Sequence, residues 1–199
     1  MNRSAAPGAS RMPAWADRAM IKPAALAAVA LGATVSVADG TGRWFGSGLA
    51  LLMLAIAAID ARRFIIPNSL CLAAFLLGLV EASYDAWPDA LEGIGLALGR
   101  AAVLGLAFFG LREIYGRLRR REGLGLGDVK LAAVAGAWLD WTFMPLAVEI
   151  AALAALAVYA FNQIADRRPF DRAARLPFGL FFAPAIWVCW LIQTVAFQF

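Results

Sequence analysis

Apolar runs recur along the whole chain, and their length decides what it can fold into. Seven stand out, at about 23–38, 45–61, 69–84, 94–115, 129–141, 143–164 and 178–198. Several approach the roughly 20 residues that an α-helix needs to cross a bilayer. In hydrocarbon every backbone N–H and C=O has to be satisfied within the protein, so such runs fold as helices. The expected fold is therefore all-α: a polytopic helical membrane protein with about seven transmembrane helices. Composition agrees, since 16% of the residues are charged, against about 25% in soluble domains. The 129–141 run is short, and is read either as completed by the glycine-rich stretch before it or as partly re-entrant. Residues 1–22 read as a flexible cytoplasmic tail and residues 23–199 as one transmembrane domain. The 23–38 run reads as a retained anchor, because the polar segment ahead of it is long for a signal peptide.

Charge in the connections alternates. The tail holds Arg3, Arg11, Arg18 and Lys22. Arg62 and Arg63 follow the second run, Arg112, Arg117 and Arg119 to Arg121 the fourth, and Arg167, Arg168, Arg172 and Arg175 the sixth. The intervening connections carry Asp39 with Arg43, then Asp85, Asp89 and Glu92, then Asp140. By the positive-inside rule the N-terminus is cytoplasmic and the C-terminus lies on the other side. The excess of 18 Lys and Arg over 14 Asp and Glu is explained by those basic loops. Nucleic acid is not an expected partner; the lipid bilayer is.

The chain has no histidine. That removes Ser-His-Asp and Cys-His catalysis and the HExxH zinc site together. Cys71 and Cys189 both lie within apolar runs and read as small buried hydrophobes, so neither a disulfide framework nor a metal site is expected. No cofactor is implied. What remains is carboxylate chemistry. An ionisable group in a spanning segment is expensive and is a functional candidate by default. Asp60, in "LAIAAIDARRFIIPNSL", ends the second run, and Asp128, in "GLGLGDVKL", begins the fifth. The charge alternation places both at the cytoplasmic interface. Glu81, Glu113 and Asp140 fall near helix ends and read as solvated, whereas Glu149 and Arg100 lie deeper and read as a structural pair or as cavity-lining residues. Taken singly, Asp60 neutralises Arg62 and Arg63 as plausibly as it catalyses, and Asp128 is as plausibly a helix cap. At one depth, the two suit hydrolysis of a peptide bond, one drawing a proton from water and the other polarising the scissile carbonyl. Gly125 and Gly127 lack a Cβ, which lets that turn approach an extended peptide. The same stretch lacks the spacing of a phosphate loop or a dinucleotide fingerprint.

These residues resemble the type IV prepilin peptidases, intramembrane aspartic proteases of the GxGD class. "IDARRFIIPN" is similar to the segment holding the family's first catalytic aspartate, "GLGLGDVKLAAVAGAWLDW" to the second, and "LPFGLFFAPAIW" to the Pro-Phe-Gly segment that opens the last helix. The likeness covers about residues 45–198. It implies Asp60 and Asp128 as the catalytic pair, with Gly125, Gly127, Lys130, Pro67, Asn68, Pro177, Phe178 and Gly179 shaping the site. It implies prepilins or pseudopilins as substrates, cut at the cytoplasmic face of a bacterial inner membrane between a basic leader and an apolar helix. Many relatives carry an extra cytoplasmic domain with paired cysteines, associated with methylation of the new N-terminus. The tail here has no cysteine, so N-methyltransferase activity is not expected. Leu180 stands where many relatives have a second proline.

Two other readings use the same residues. A proton-coupled transporter would place its carboxylates near the midplane between repeated halves, and these aspartates lie at the interface with no repeat visible. A Ser69–Lys130 protease needs a neutral lysine, which Asp128 nearby opposes. Helix ends also predict how the aspartates divide their roles. Asp128 begins its helix, where free N–H groups favour negative charge, and Lys130 adds to this; Asp60 ends its helix, where carbonyls disfavour it. On that argument Asp128 is the ionised base.

Overall fold

Turn chemistry divides the chain where the apolar runs stop. In the computed structural model, which describes residues 23–119, 124–166 and 177–197, seven helices form among the described residues and no strand does. They are α1 (Pro23–Val37), α2 (Gly42–Arg63), α3 (Asn68–Asp85), α4 (Ala90–Arg119), α5 (Leu126–Trp138), α6 (Phe143–Asp166) and α7 (Phe178–Ala196). Gly40, at φ 55°, takes the left-handed conformation that reverses the chain between α1 and α2. The tail 1–22 and most of the arginine-rich loops at 120–123 and 167–176 lie outside the described residues.

The all-α expectation holds, and each helix coincides with one of the seven apolar runs. The count of seven crossings is not supported to the same extent. By length and composition four helices suffice to cross a membrane: α2, α4, α6 and α7. α1 has 15 residues and α5 has 13, and a 13-residue helix spans about 20 Å of a hydrocarbon core about 30 Å thick. α3 is 18 residues long but carries Asn68, Glu81 and Asp85.

α5 is short because it is interior. From Leu131 to Trp138 nearly every residue is buried, with α4, α3 and α7 packed around it. Its small residues set how closely these neighbours approach, as is common where helices pack in lipid. A Cβ on Gly136 would stand 2.6 Å from the Cα of Ala101 on α4, and one on Gly78 of α3 would stand 2.7 Å from the Trp138 indole nitrogen. Trp138 and Trp190 meet edge to face with ring centroids 6.3 Å apart. Buried indoles need acceptors, and both find them: Trp138 Nε1 donates to the Ala74 carbonyl at 2.8 Å and Trp190 Nε1 to Glu81 Oε1 at 2.8 Å. Trp190 also lies against Gly46 of α2, so the two rings join four helices. Leucines, valines and phenylalanines such as Leu72, Leu76, Val103 and Leu106 face outward.

Three sequence expectations need correction. Glu81 is buried rather than solvated, held as the Trp190 acceptor. Arg100 pairs with Asp140 at 3.1 Å and with the Gly136 carbonyl, while Glu149 is exposed. Asp140 is therefore a partner in that pair, and its backbone N–H donates to Gln193 Oε1. Side-chain positions, unlike the apolar pattern, depend on which helices become neighbours. Cys71 and Cys189 are free and buried, as expected.

Candidate active site

Asp60 occupies the last turn of α2 and is 4% exposed. After it the helix stops at Phe64, whose φ of 53° and ψ of 35° make a left-handed cap, with its N–H donating to the Asp60 carbonyl at 2.9 Å. A bulky residue in that conformation costs about 1–2 kcal/mol, and the exchange turns the chain sharply into the extended residues 65–67. Pro67 restricts Ile66 to extended backbone and forms the N-cap of α3. That short linker, Phe64 to Asn68, forms one wall of the site.

Asp128 belongs to the first turn of α5. Its Oδ2 accepts the Gly125 N–H at 3.2 Å, and its own N–H donates to the Gly125 carbonyl at 3.2 Å. This reciprocal cap fixes the carboxylate over the helix start. The glycine-rich turn is tied at its other side by Arg112 of α4, whose Nε donates to the Leu124 carbonyl at 3.2 Å.

The third wall is the N-terminus of α7. Pro177 is its N-cap, and Phe178 packs on Phe182 with centroids 5.3 Å apart, which in turn stacks on Phe108 of α4 at 5.7 Å. The result aims the first peptide N–H groups of α7 at Asp60. Leu180 donates to Asp60 Oδ2 at 2.9 Å, and the neighbouring Gly179 N–H also favours the carboxylate. A Cβ on Gly179 would stand 2.9 Å from that same oxygen, so only glycine permits the approach.

Both aspartates thus face helix N-termini, and Asp128 lies within reach of the charge on Asp60. This removes the helix-end basis for the expected division of roles. Asp60 ends its own helix, whereas the N–H groups it meets are those of α7, 120 residues away. Lys130 Nζ donates to Asn68 Oδ1 at 2.6 Å and so links α5 to the first residue of α3. That bond also directs the ammonium to the Asn68 amide, not to Ser69, against the Ser-Lys reading.

All ten residues singled out from sequence are gathered at this end of the bundle: Asp60, Asp128, Gly125, Gly127, Lys130, Pro67, Asn68, Pro177, Phe178 and Gly179. Three contributors escaped that reading. Ile66 packs against both Gly127 and Gly179, yet the sequence offers it only as the first residue of the Ile-Pro-Asn that trails the Asp60 segment, with no role in the site attached. Arg112 looked like one more loop arginine. The Leu180 amide is backbone, and no side-chain pattern announces it. Among the described residues no group of three or more His, Cys, Asp or Glu side chains is placed to hold a metal ion.

Fold and site together define a polytopic helical membrane protein with an interacting pair of carboxylates at one end. A sequence profile of the type IV leader peptidase family matches residues 47–160, more than half of the chain and both aspartates. The chain belongs to that family. It is 36% identical over 141 residues to a prepilin leader peptidase/N-methyltransferase of Burkholderia pseudomallei (strain 1026b), covering 68% of this chain and 42% of that protein. A protein of the same description from Escherichia coli (strain K12) is 31% identical over 122 residues, with coverage of 61% and 52%. A leader peptidase HopD of Escherichia coli is 35% identical over 129 residues, 63% of this chain and 78% of the relative. The chain spans about half the length of the first two relatives. No solved structure matches it.

Proposed function

We propose that this chain is an intramembrane aspartic endopeptidase that removes the basic leader of type IV prepilins or pseudopilins at the cytoplasmic face of a bacterial inner membrane. The observation that carries the reading is the pair of carboxylates. They come from the end of one helix and the start of another, each is oriented by peptide N–H groups, and Asp128 lies within reach of the charge on Asp60. Family membership and the relatives' names support the substrate class.

Like charges close together favour a shared proton. With one aspartate ionised and one protonated, the ionised member takes a proton from water as the water oxygen bonds to the scissile carbonyl carbon. The protonated member gives its proton to the carbonyl oxygen, which yields a tetrahedral diol. Collapse of the diol moves a proton to the amide nitrogen, the C–N bond breaks, and the products are a new carboxyl group and a free amine. The shared proton is restored, and no covalent enzyme intermediate forms. Because both carboxylates face helix N-termini, neither is assigned in advance as base.

Arg62, Arg63, Arg112, Arg117 and Lys130 share the aspartates' end of the bundle with Glu113, and Asp39, Asp85, Asp89, Glu92 and Asp140 share the other with Arg43 and Arg100. That asymmetry supports a cytoplasmic site and a substrate whose basic leader stays on the same side. The test is co-expression with a prepilin followed by N-terminal sequencing. Removal of the leader at its junction with the apolar helix is expected; an intact leader across a panel of type IV prepilins would refute the assignment.

A further inference from the structure

Ile66 lies between the two helix starts that hold the aspartates. It is 9% exposed, in the extended linker after α2. On one side a Cβ at Gly127 would stand 2.9 Å from Ile66 Cβ, 3.1 Å from its Cδ1 and 3.2 Å from its Cγ1. On the other, a Cβ at Gly179 would stand 2.7 Å from Ile66 Cδ1. Each glycine is one residue from the chemistry. Gly127 precedes Asp128, and Gly179 precedes Leu180, whose N–H donates to Asp60 Oδ2 at 2.9 Å. One aliphatic side chain therefore touches the backbone of α5 beside one carboxylate and the backbone of α7 beside the donor to the other.

We propose that Ile66 is a positioning residue: a spacer whose volume sets the separation of the α5 and α7 N-termini, and through them that of Asp60 and Asp128. The inference rests on the reading of those aspartates as the catalytic pair. The physical basis is that packed interiors transmit changes of a single methylene. β-branching holds the isoleucine in few rotamers, and Pro67 holds the backbone behind it extended. Glycine on both sides lets the spacer meet main chain, which cannot swing away as a side chain can.

The test compares kcat and KM for Ile66→Val, Ile66→Ala, Gly127→Ala and the Gly127→Ala/Ile66→Ala pair, on a prepilin that the wild-type chain cleaves, per mole of folded protein. Ile66→Ala is expected to lower kcat roughly 10–100-fold, the loss that follows displacement of reacting groups by about an ångström. KM is expected to stay within about twofold, because ground-state binding is untouched. Ile66→Val, which removes only Cδ1, falls between. Gly127→Ala alone is impaired, since its methyl meets Ile66; removing Cγ1 and Cδ1 in the double variant clears two of the three contacts and leaves only the one to Cβ at 2.9 Å, so kcat recovers in part. Wild-type kcat in Ile66→Ala, a defect confined to KM, or a double variant worse than Gly127→Ala would overturn the spacer. If Ile66→Ala does not accumulate, Ile66→Val decides: wild-type kcat there refutes the proposal and a selective fall in kcat upholds it. Asp60→Asn and Asp128→Asn run alongside separate the two failures. Activity in those variants sinks the catalytic pair itself, whereas their inactivity beside an unaffected Ile66→Ala sinks only the spacer.

Discussion

Asp60 and Asp128 have the same chemistry on offer because each meets free N–H groups at a helix start, although one ends its own helix and the other begins one. Around them single contacts decide the geometry. Lys130 and Asn68 form one such contact, at 2.6 Å, across 62 residues of sequence. If that bond serves to hold the linker against α5, Lys130→Met and Asn68→Ala lower activity by a similar factor and the double variant is no worse than either. A double-mutant cycle on cleavage rate measures this; fully additive losses would mean that the lysine acts separately, on substrate or on Asp128. At the other end, Glu81 accepts the Trp190 indole N–H in a buried setting. Glu81→Leu leaves that donor unmet and is expected to cost about 1–3 kcal/mol, whereas Glu81→Gln keeps an acceptor and costs less. Thermal unfolding in detergent distinguishes the two, and equal losses would remove the hydrogen bond from the account.

Helices α5 and α7 show what an element contributes beyond its residues. α5 is a 13-residue interior helix, and its seating on α4 depends on the absence of a side chain at Gly136, beside Ala101. Gly136→Val is expected to push the two apart and destabilise the protein by about 1–3 kcal/mol or more, as overpacking does, with loss of cleavage in step. Unchanged unfolding and cleavage in that variant would mean that α5 does not sit where it is described. The apolar runs made every helix legible in the sequence, since period and length are local properties. Both aspartates stand out in the sequence as ionisable groups at the ends of apolar runs, and the proline positions and Gly179 around them come through the family resemblance. Charge partners were not legible. Arg100 and Glu149 read as a pair or as cavity-lining residues, yet Arg100 pairs with Asp140; Glu81 reads as solvated, yet it accepts from Trp190; Lys130 reads as a charge beside Asp128, yet it donates to Asn68. Each error has one cause, that a partner on another helix is fixed by packing and leaves no trace in nearby sequence. The number of crossings was not legible for a related reason, because an apolar run is equally suited to lipid and to the interior of a bundle.

At the scale of the whole molecule two properties are open to test, its orientation and its reaction. The positively charged end is placed in the cytoplasm, so a reporter inserted at residues 39–41 should report the far side and one inserted at residue 65 the cytoplasm. The opposite pattern would move the aspartates to the wrong face for a cytoplasmic leader. The reaction is tested most directly by the cleavage rate of a prepilin by purified Asp60→Asn and Asp128→Asn, with Asp140→Asn as the control from the far end of the bundle. Each dyad variant is expected to lose at least about 10²–10⁴-fold in rate while remaining folded, since one carboxyl group cannot serve as both acid and base. Asp140→Asn is expected to stay within about twofold of wild type per mole of folded protein, since its amide oxygen still accepts from Arg100 and it lies far from the two aspartates. Either dyad variant cleaving at the wild-type rate would contradict the paired-carboxylate mechanism.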